Sequence, residues 1–205
     1  MGESTMEESK RACFMSRALT ALFWIHILSM ITNILTQDKV AEMVPQLYMP
    51  GLVVGIVCPV ARIVLMFMMS SGNGHYRGAA LLNIAGIVMD GSILFMPNDE
   101  KGMVGALILY ALTVAAGMAV VYFEIRGHAR LLQGVDGGLA EKWRRLGGWV
   151  MNIAVALMFG FGFMMVLRMI GLLVVVGVLI VWIIFEIRIL INLYKSARVL
   201  KGQGH

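Results

Sequence analysis

Charge is what this chain has least of. Only 14% of its 205 residues are Asp, Glu, Lys or Arg, where soluble domains carry about 25%. With 60% of residues hydrophobic, a water-soluble domain would expose large apolar patches and aggregate. Cysteine is also scarce. Cys13 and Cys58 have no metal-ligand spacing and cannot build a disulfide framework, so both are expected as free thiols. Catalytic signatures are missing: there is no nucleophile elbow, Walker loop, dinucleotide fingerprint, HExxH or Cys-His cluster. No catalytic residue, metal or cofactor is therefore expected, and the chain is not expected to be an enzyme. The net charge of +5 comes without a basic domain or an aromatic-basic platform, which argues against nucleic acid as a partner.

What is abundant is apolar length. Mean hydropathy is +0.84. Crossing a hydrocarbon core takes roughly 20 apolar residues in a helix. Six segments qualify: about Ala18–Leu35, Gly51–Ser70, Gly78–Met96, Met103–Ile125, Gly147–Leu167 and Gly171–Leu193. A barrel would instead alternate in segments of about ten residues, and helices satisfy every backbone donor and acceptor internally, as lipid requires. The expected fold is all-α: one polytopic membrane helix bundle spanning residues 1–205, with three helical hairpins as one arrangement. Breakers fall between the runs: Pro45 and Pro50, Ser70 to Gly74, and Pro97-Asn98-Asp99. A break near Arg168 and Gly171 divides the last apolar stretch, since one helix of that length would overrun a bilayer. The first run is expected to stay as an anchor, with acids as well as bases before it and no small-residue cleavage site after it.

The bases set an orientation. With a cytoplasmic N-terminus, the inner side carries thirteen: Lys10, Arg11, Arg17, Arg77, Arg126, Arg130, Lys142, Arg144, Arg145, Arg188, Lys195, Arg198 and Lys201. The outer side carries only Lys39, Lys101 and Arg168. Basic residues are retained on the cytoplasmic side, so both termini are expected there, in a plasma membrane.

Ionisable groups inside the membrane are the best functional pointers. Arg62 stands near the middle of the second run and Asp90 in the outer half of the third. In a hairpin they would sit about 6 Å apart in depth, from a rise of 1.5 Å per residue. They form a candidate intramembrane polar pair, either locking two helices or lining a pathway. Glu124 and Glu186 are candidate inner-interface carboxylates, expected to reach headgroups, and Glu124 has His128 at i+4. His26 is expected to bond a neighbour. Eighteen methionines raise copper, but without cysteine or histidine motifs they read as pliable filler. Gly160-Phe161-Gly162 suits close helix packing better than phosphate binding.

The longest polar connection runs from Arg126 to Gly148. Asp136 is placed to cap a helix there, on which Leu139, Trp143 and Leu146 share one face. Lys142, Arg144 and Arg145 lie opposite as candidate contacts for anionic lipids. Two readings stay open: an interfacial helix resting on the inner leaflet, or a fifth membrane helix continuing beyond the bilayer. Phe123-Glu124-Ile125-Arg126 recurs as Phe185-Glu186-Ile187-Arg188, which reads either as a short internal repeat left by duplication or as a chance match between apolar sequences of low diversity.

Residues 123–132 (FEIRGHARLL), 135–146 (VDGGLAEKWRRL) and 193–202 (LYKSARVLKG) resemble small uncharacterised multi-pass membrane proteins of clostridial-type Gram-positive bacteria. The resemblance covers mainly the C-terminal half. It implies a bacterial plasma membrane and carries over no activity, substrate or site.

The role expected first is a structural, regulatory or assembly component of the membrane. Its partners would be the bilayer, anionic lipids at the inner face, and a second copy or another membrane protein. The alternative is a small transporter or channel using Arg62 and Asp90. If these two charges lock helices, Arg62→Met and Asp90→Asn should each lower thermal stability in detergent, by about 3–5 kcal/mol. The double variant should be more stable than either single one, and harmless, uncoupled single variants would favour the transporter.

Overall fold

The computed structural model describes the backbone at residues 2–71, 73–97 and 99–203, and the side chains there except at residues 2–6, 8, 38, 39, 41, 100, 161–166, 168 and 170. The chain is all-α. Seven helices stand among the described residues: α1 (Gly2–Leu35), α2 (Asp38–Met43), α3 (Pro45–Met69), α4 (Gly74–Ile93), α5 (Glu100–Leu132), α6 (Gly137–Val166) and α7 (Arg168–Gln203). All but α2 cover the six expected runs. The boundaries differ in instructive ways. Pro45 does not end a connection but opens α3, at a position whose N–H is unpaired anyway. Pro50 lies inside the helix, where it forgoes one backbone bond. α5 and α7 run past Glu124 and Glu186 rather than closing there. α6 is unbroken from Gly137 to Val166, so the segment after Asp136 runs into the following apolar stretch as one helix. The break between α6 and α7 falls at Leu167.

Among the described residues, four helices are long and apolar enough to cross a membrane: Ser9–Leu35, Pro45–Met69, Lys101–Leu132 and Gly171–Gln203. α4 is the shortest of the six, with Arg77, Asn83, Asp90 and Ser92 in its 20 residues. α6 spends its first turns on Glu141, Lys142, Arg144 and Arg145. The expected bases Lys39 and Arg168, and the packing step at Phe161 and Gly162, lie outside the described side chains, and Asn98 outside the described residues.

The chain divides into two compact units. The first comprises Met1–Ser71 and Leu190–His205. α1 buries Met15, Ala18, Leu19 and Leu22, the i, i+3, i+4, i+7 stripe of a packed helix face. The end of α7 buries Leu193, Ala197 and Leu200 with the same period. The Ser16 hydroxyl donates to the Ala197 carbonyl at 2.8 Å, and Phe23 meets Tyr194 with ring centroids 6.1 Å apart. α3 returns beside α1, where a methyl group at Gly55 would stand 3.1 Å from Thr32 Cγ2. Both cysteines, Cys13 and Cys58, are free thiols.

The second unit, Gly72–Ile189, is an antiparallel run of α4, α5, α6 and the first part of α7. Asp99 caps α5 by accepting from the Gly102 N–H at 2.7 Å. Asp136 caps α6 as expected, accepting from the Leu139 N–H at 2.9 Å. Small residues set the helix spacing. A Cβ at Gly127 would come within 2.7–3.0 Å of three ring atoms of Tyr76, closer than any real carbon contact, and a buried ring cannot swing aside. α4 reaches α5 only because position 127 has no side chain.

Opposite outcomes are expected for two glycines of α5. Gly127→Ala should destabilise the protein by about 1–3 kcal/mol through overpacking. Gly117→Ala, which meets nothing within 4 Å, should be neutral or stabilise by up to about 1 kcal/mol through helix propensity. Thermal unfolding in mild detergent reads both.

Candidate functional site

The polar groups of the second unit converge where α4 begins and α5 and α6 meet. Asn73 stands at the N-cap of α4, and its side-chain oxygen accepts from the His75 N–H at 3.3 Å. The same amide donates through Nδ2 to the Gly127 carbonyl at 2.9 Å. One side chain thus starts α4 and ties it to α5. One turn on, the Tyr76 hydroxyl lies 2.8 Å from His128 Nδ1. Tyr76 is fully buried and His128 is 1% exposed.

His128 lies one helical turn beyond Glu124. Its Nε2 stands 3.6 Å from Glu124 Oε1, near enough for electrostatic attraction but too far for a hydrogen bond. Nε2 accordingly makes no hydrogen bond. If the Tyr76 hydroxyl donates to Nδ1, the neutral ring carries its proton on Nε2, facing the carboxylate. The third side is Trp143 of α6, fully buried, with its ring centroid 4.5 Å from that of His128. The expected Leu139, Trp143 and Leu146 face is buried throughout. It packs against α5 through Trp143 rather than lying on lipid.

Burial holds the Tyr76 phenol well above its ordinary value, and the Glu124 charge adds to the effect. His75, at the edge of the cluster, is lowered first by burial and then by the charges of Arg130 and Arg126. Tyr76, His128, Trp143 and Glu124 are all buried, and the cluster joins α4, α5 and α6. Away from this cluster lie an apolar groove of about 540 Å³ between α5 and α6 and one of about 380 Å³ between α6 and α7. Among the described residues, no three His, Cys, Asp or Glu side chains gather as a metal site.

Of the residues expected from sequence, Glu124 is buried within this cluster rather than extended to headgroups. Glu186 is half-buried on α7. Lys142, Arg144 and Arg145 are exposed on α6, and Glu141 lies 3.6 Å from Arg144 and 3.5 Å from Arg145. Arg62 is half-buried on α3 in the first unit, and Asp90 is exposed on α4 in the second. Asn73 and Tyr76 escaped the sequence reading. The signal for Asn73 was its place as a capping residue ahead of α4, whereas nothing periodic marks Tyr76. Compared with known proteins, the chain matches no family model, no curated protein and no solved structure.

The Tyr76–His128 bond sets an expectation for pH. The folded-state pKa of Tyr76 is raised above its unfolded value. Its contribution to stability is therefore complete below about pH 10 and lost as pH rises from there toward the folded value. Tyr76→Phe should cost about 1–3 kcal/mol at neutral pH, because His128 Nδ1 is left buried without a partner. It should also flatten the alkaline limb of thermal stability against pH. An unchanged alkaline limb would show that the phenol does not titrate as a buried group.

Proposed function

We propose that this chain is a six-span protein of a bacterial plasma membrane, with both termini cytoplasmic, acting as a non-enzymatic structural, regulatory or assembly component. The observation that carries this reading is the contrast between the surfaces of its helices and its polar interior. The most apolar windows of α5 and α7 are only 11% buried, and side chains such as Leu107, Ile108, Leu173 and Ile183 stand exposed. Such surfaces belong against lipid or other membrane helices. The titratable side chains of the Tyr76, His128 and Glu124 cluster are spent on joining helices. The two further spans, α4 and α6, gain support from the antiparallel run in which they alternate with α5 and α7.

A second reading, a small transporter or channel, rests on Asp90, an exposed carboxylate on an otherwise apolar stretch of α4. A carboxylate there is costly unless it faces water, a partner charge or a pathway.

One experiment addresses both topology and role. In a Cys13→Ala, Cys58→Ala background, Lys101→Cys should react with an impermeant maleimide on intact cells, and Gln203→Cys only after permeabilisation. The reverse pattern would overturn the orientation, and recovery in an alkaline wash would overturn membrane insertion. Mild detergent extraction should then yield one consistent membrane complex. A clean monomer that carries solute flux in liposomes would instead favour the transporter.

A further inference from the structure

The groove between α5 and α6 is long and apolar. It runs from Leu107 to Tyr122 along α5, about 22 Å at 1.5 Å per residue. That is longer than one leaflet's share of a hydrocarbon core about 30 Å thick. Its volume is about 540 Å³. The trough exists because alanines line it: Ala111, Ala115 and Ala119 from α5, and Ala154 from α6. Methionine and leucine side chains complete the walls, pliable surfaces suited to a flexible chain.

One end of this apolar trough is cationic. Tyr122 lines the groove, and its hydroxyl accepts from Arg126 Nε at 3.1 Å, while the guanidinium carbon lies 5.3 Å from the ring centroid. Arg126 is held over the groove's end yet exposed. On α6, Gly147 abuts Ile125 and Tyr122. One turn further in the same direction stand Arg126 on α5 and Arg144 on α6, both exposed. Arg145 adds a third cation, and Glu141 offsets one of the three. An apolar chain joined to an anionic head is what this combination fits: the chain in the trough, an oxyanion forked by guanidinium groups, and a tyrosine at the boundary.

We propose that the α5/α6 groove is a binding site for an anionic phospholipid, with one acyl chain along the alanine-lined trough and the phosphodiester at Arg126 and Arg144. The proposal rests on the membrane reading above and adds a defined lipid partner to it.

The full chain, purified in neutral detergent, is titrated with phosphatidylglycerol or phosphatidylcholine of identical chains, and bound lipid is counted by native mass spectrometry. Two arginines should favour the anionic lipid by roughly thirtyfold. Arg126→Gln with Arg144→Gln should bring the ratio near unity while phosphatidylcholine binding persists. Ala154→Leu, which fills the trough without touching a charge, should weaken both lipids alike, with circular dichroism confirming the fold. Millimolar inorganic phosphate should not displace the lipid, since the chain carries much of the affinity. Equal retention of the two lipids by the wild type would overturn the site, as would a preference that survives the double arginine variant. So would displacement by phosphate alone, or a groove closed by a second copy, seen as a dimer that Ala154→Leu disrupts. A chain that leaves the membrane in an alkaline wash would sink the membrane reading itself, which separates that failure from failure of the site.

Discussion

Tyr76 reaches His128 only because residue 127 has no side chain. The rest of the second unit depends on that absence. With α4 drawn against α5, Asn73 can close on the Gly127 carbonyl and the Tyr76 hydroxyl on the His128 ring, while Trp143 of α6 covers the other side. Lipid tails are as apolar as leucine, so helices in a bilayer gain little from hydrophobic burial against each other. Close approach at small residues and hydrogen bonds between helices must do more of the holding. Both devices meet at this junction.

The few charges of the chain are used with matching economy. Glu124 is turned inward beside His128, and Arg126 lies over Tyr122. Arg188, its counterpart in the internal repeat, lies over Trp149 at 5.6 Å. In both copies an arginine is laid on an aromatic face, where the ring quadrupole stabilises the cation and the long stem covers apolar surface. The alanines of α5 line the apolar groove between α5 and α6.

Much of the helical framework was legible in advance because hydropathy and turn chemistry are local. Six apolar runs became six long helices, Asp136 capped α6, and Leu139, Trp143 and Leu146 formed one buried face. The errors have physical reasons too. Proline reads as a breaker, yet at the start of a helix it lacks a donor that would be unpaired anyway, so Pro45 opens α3, while Pro50 inside the helix forgoes one backbone bond. Charged residues read as helix ends, yet a helix continues into water as readily as it stops, so α5 and α7 run beyond Glu124 and Glu186. Six runs look equally able to span; among the described residues four helices qualify on apolar length, the polar residues of α4 hold it back, and the last turn and a half of α6 lies outside the described side chains.

By itself the sequence determined that this is a chain of apolar helices, where most of them lie, and that Glu124 and His128 share a helix face, since each follows from neighbours within a few turns. It could not reveal that Tyr76, 52 residues from His128, completes the buried cluster, or that Trp143 covers it. Those contacts depend on how closely two helices approach, and that distance is set by the absence of a Cβ at Gly127. Nor could it reveal the trough between α5 and α6. An alanine looks the same in a filled interface and in an open one, and only the spacing of the packed helices decides which it lines.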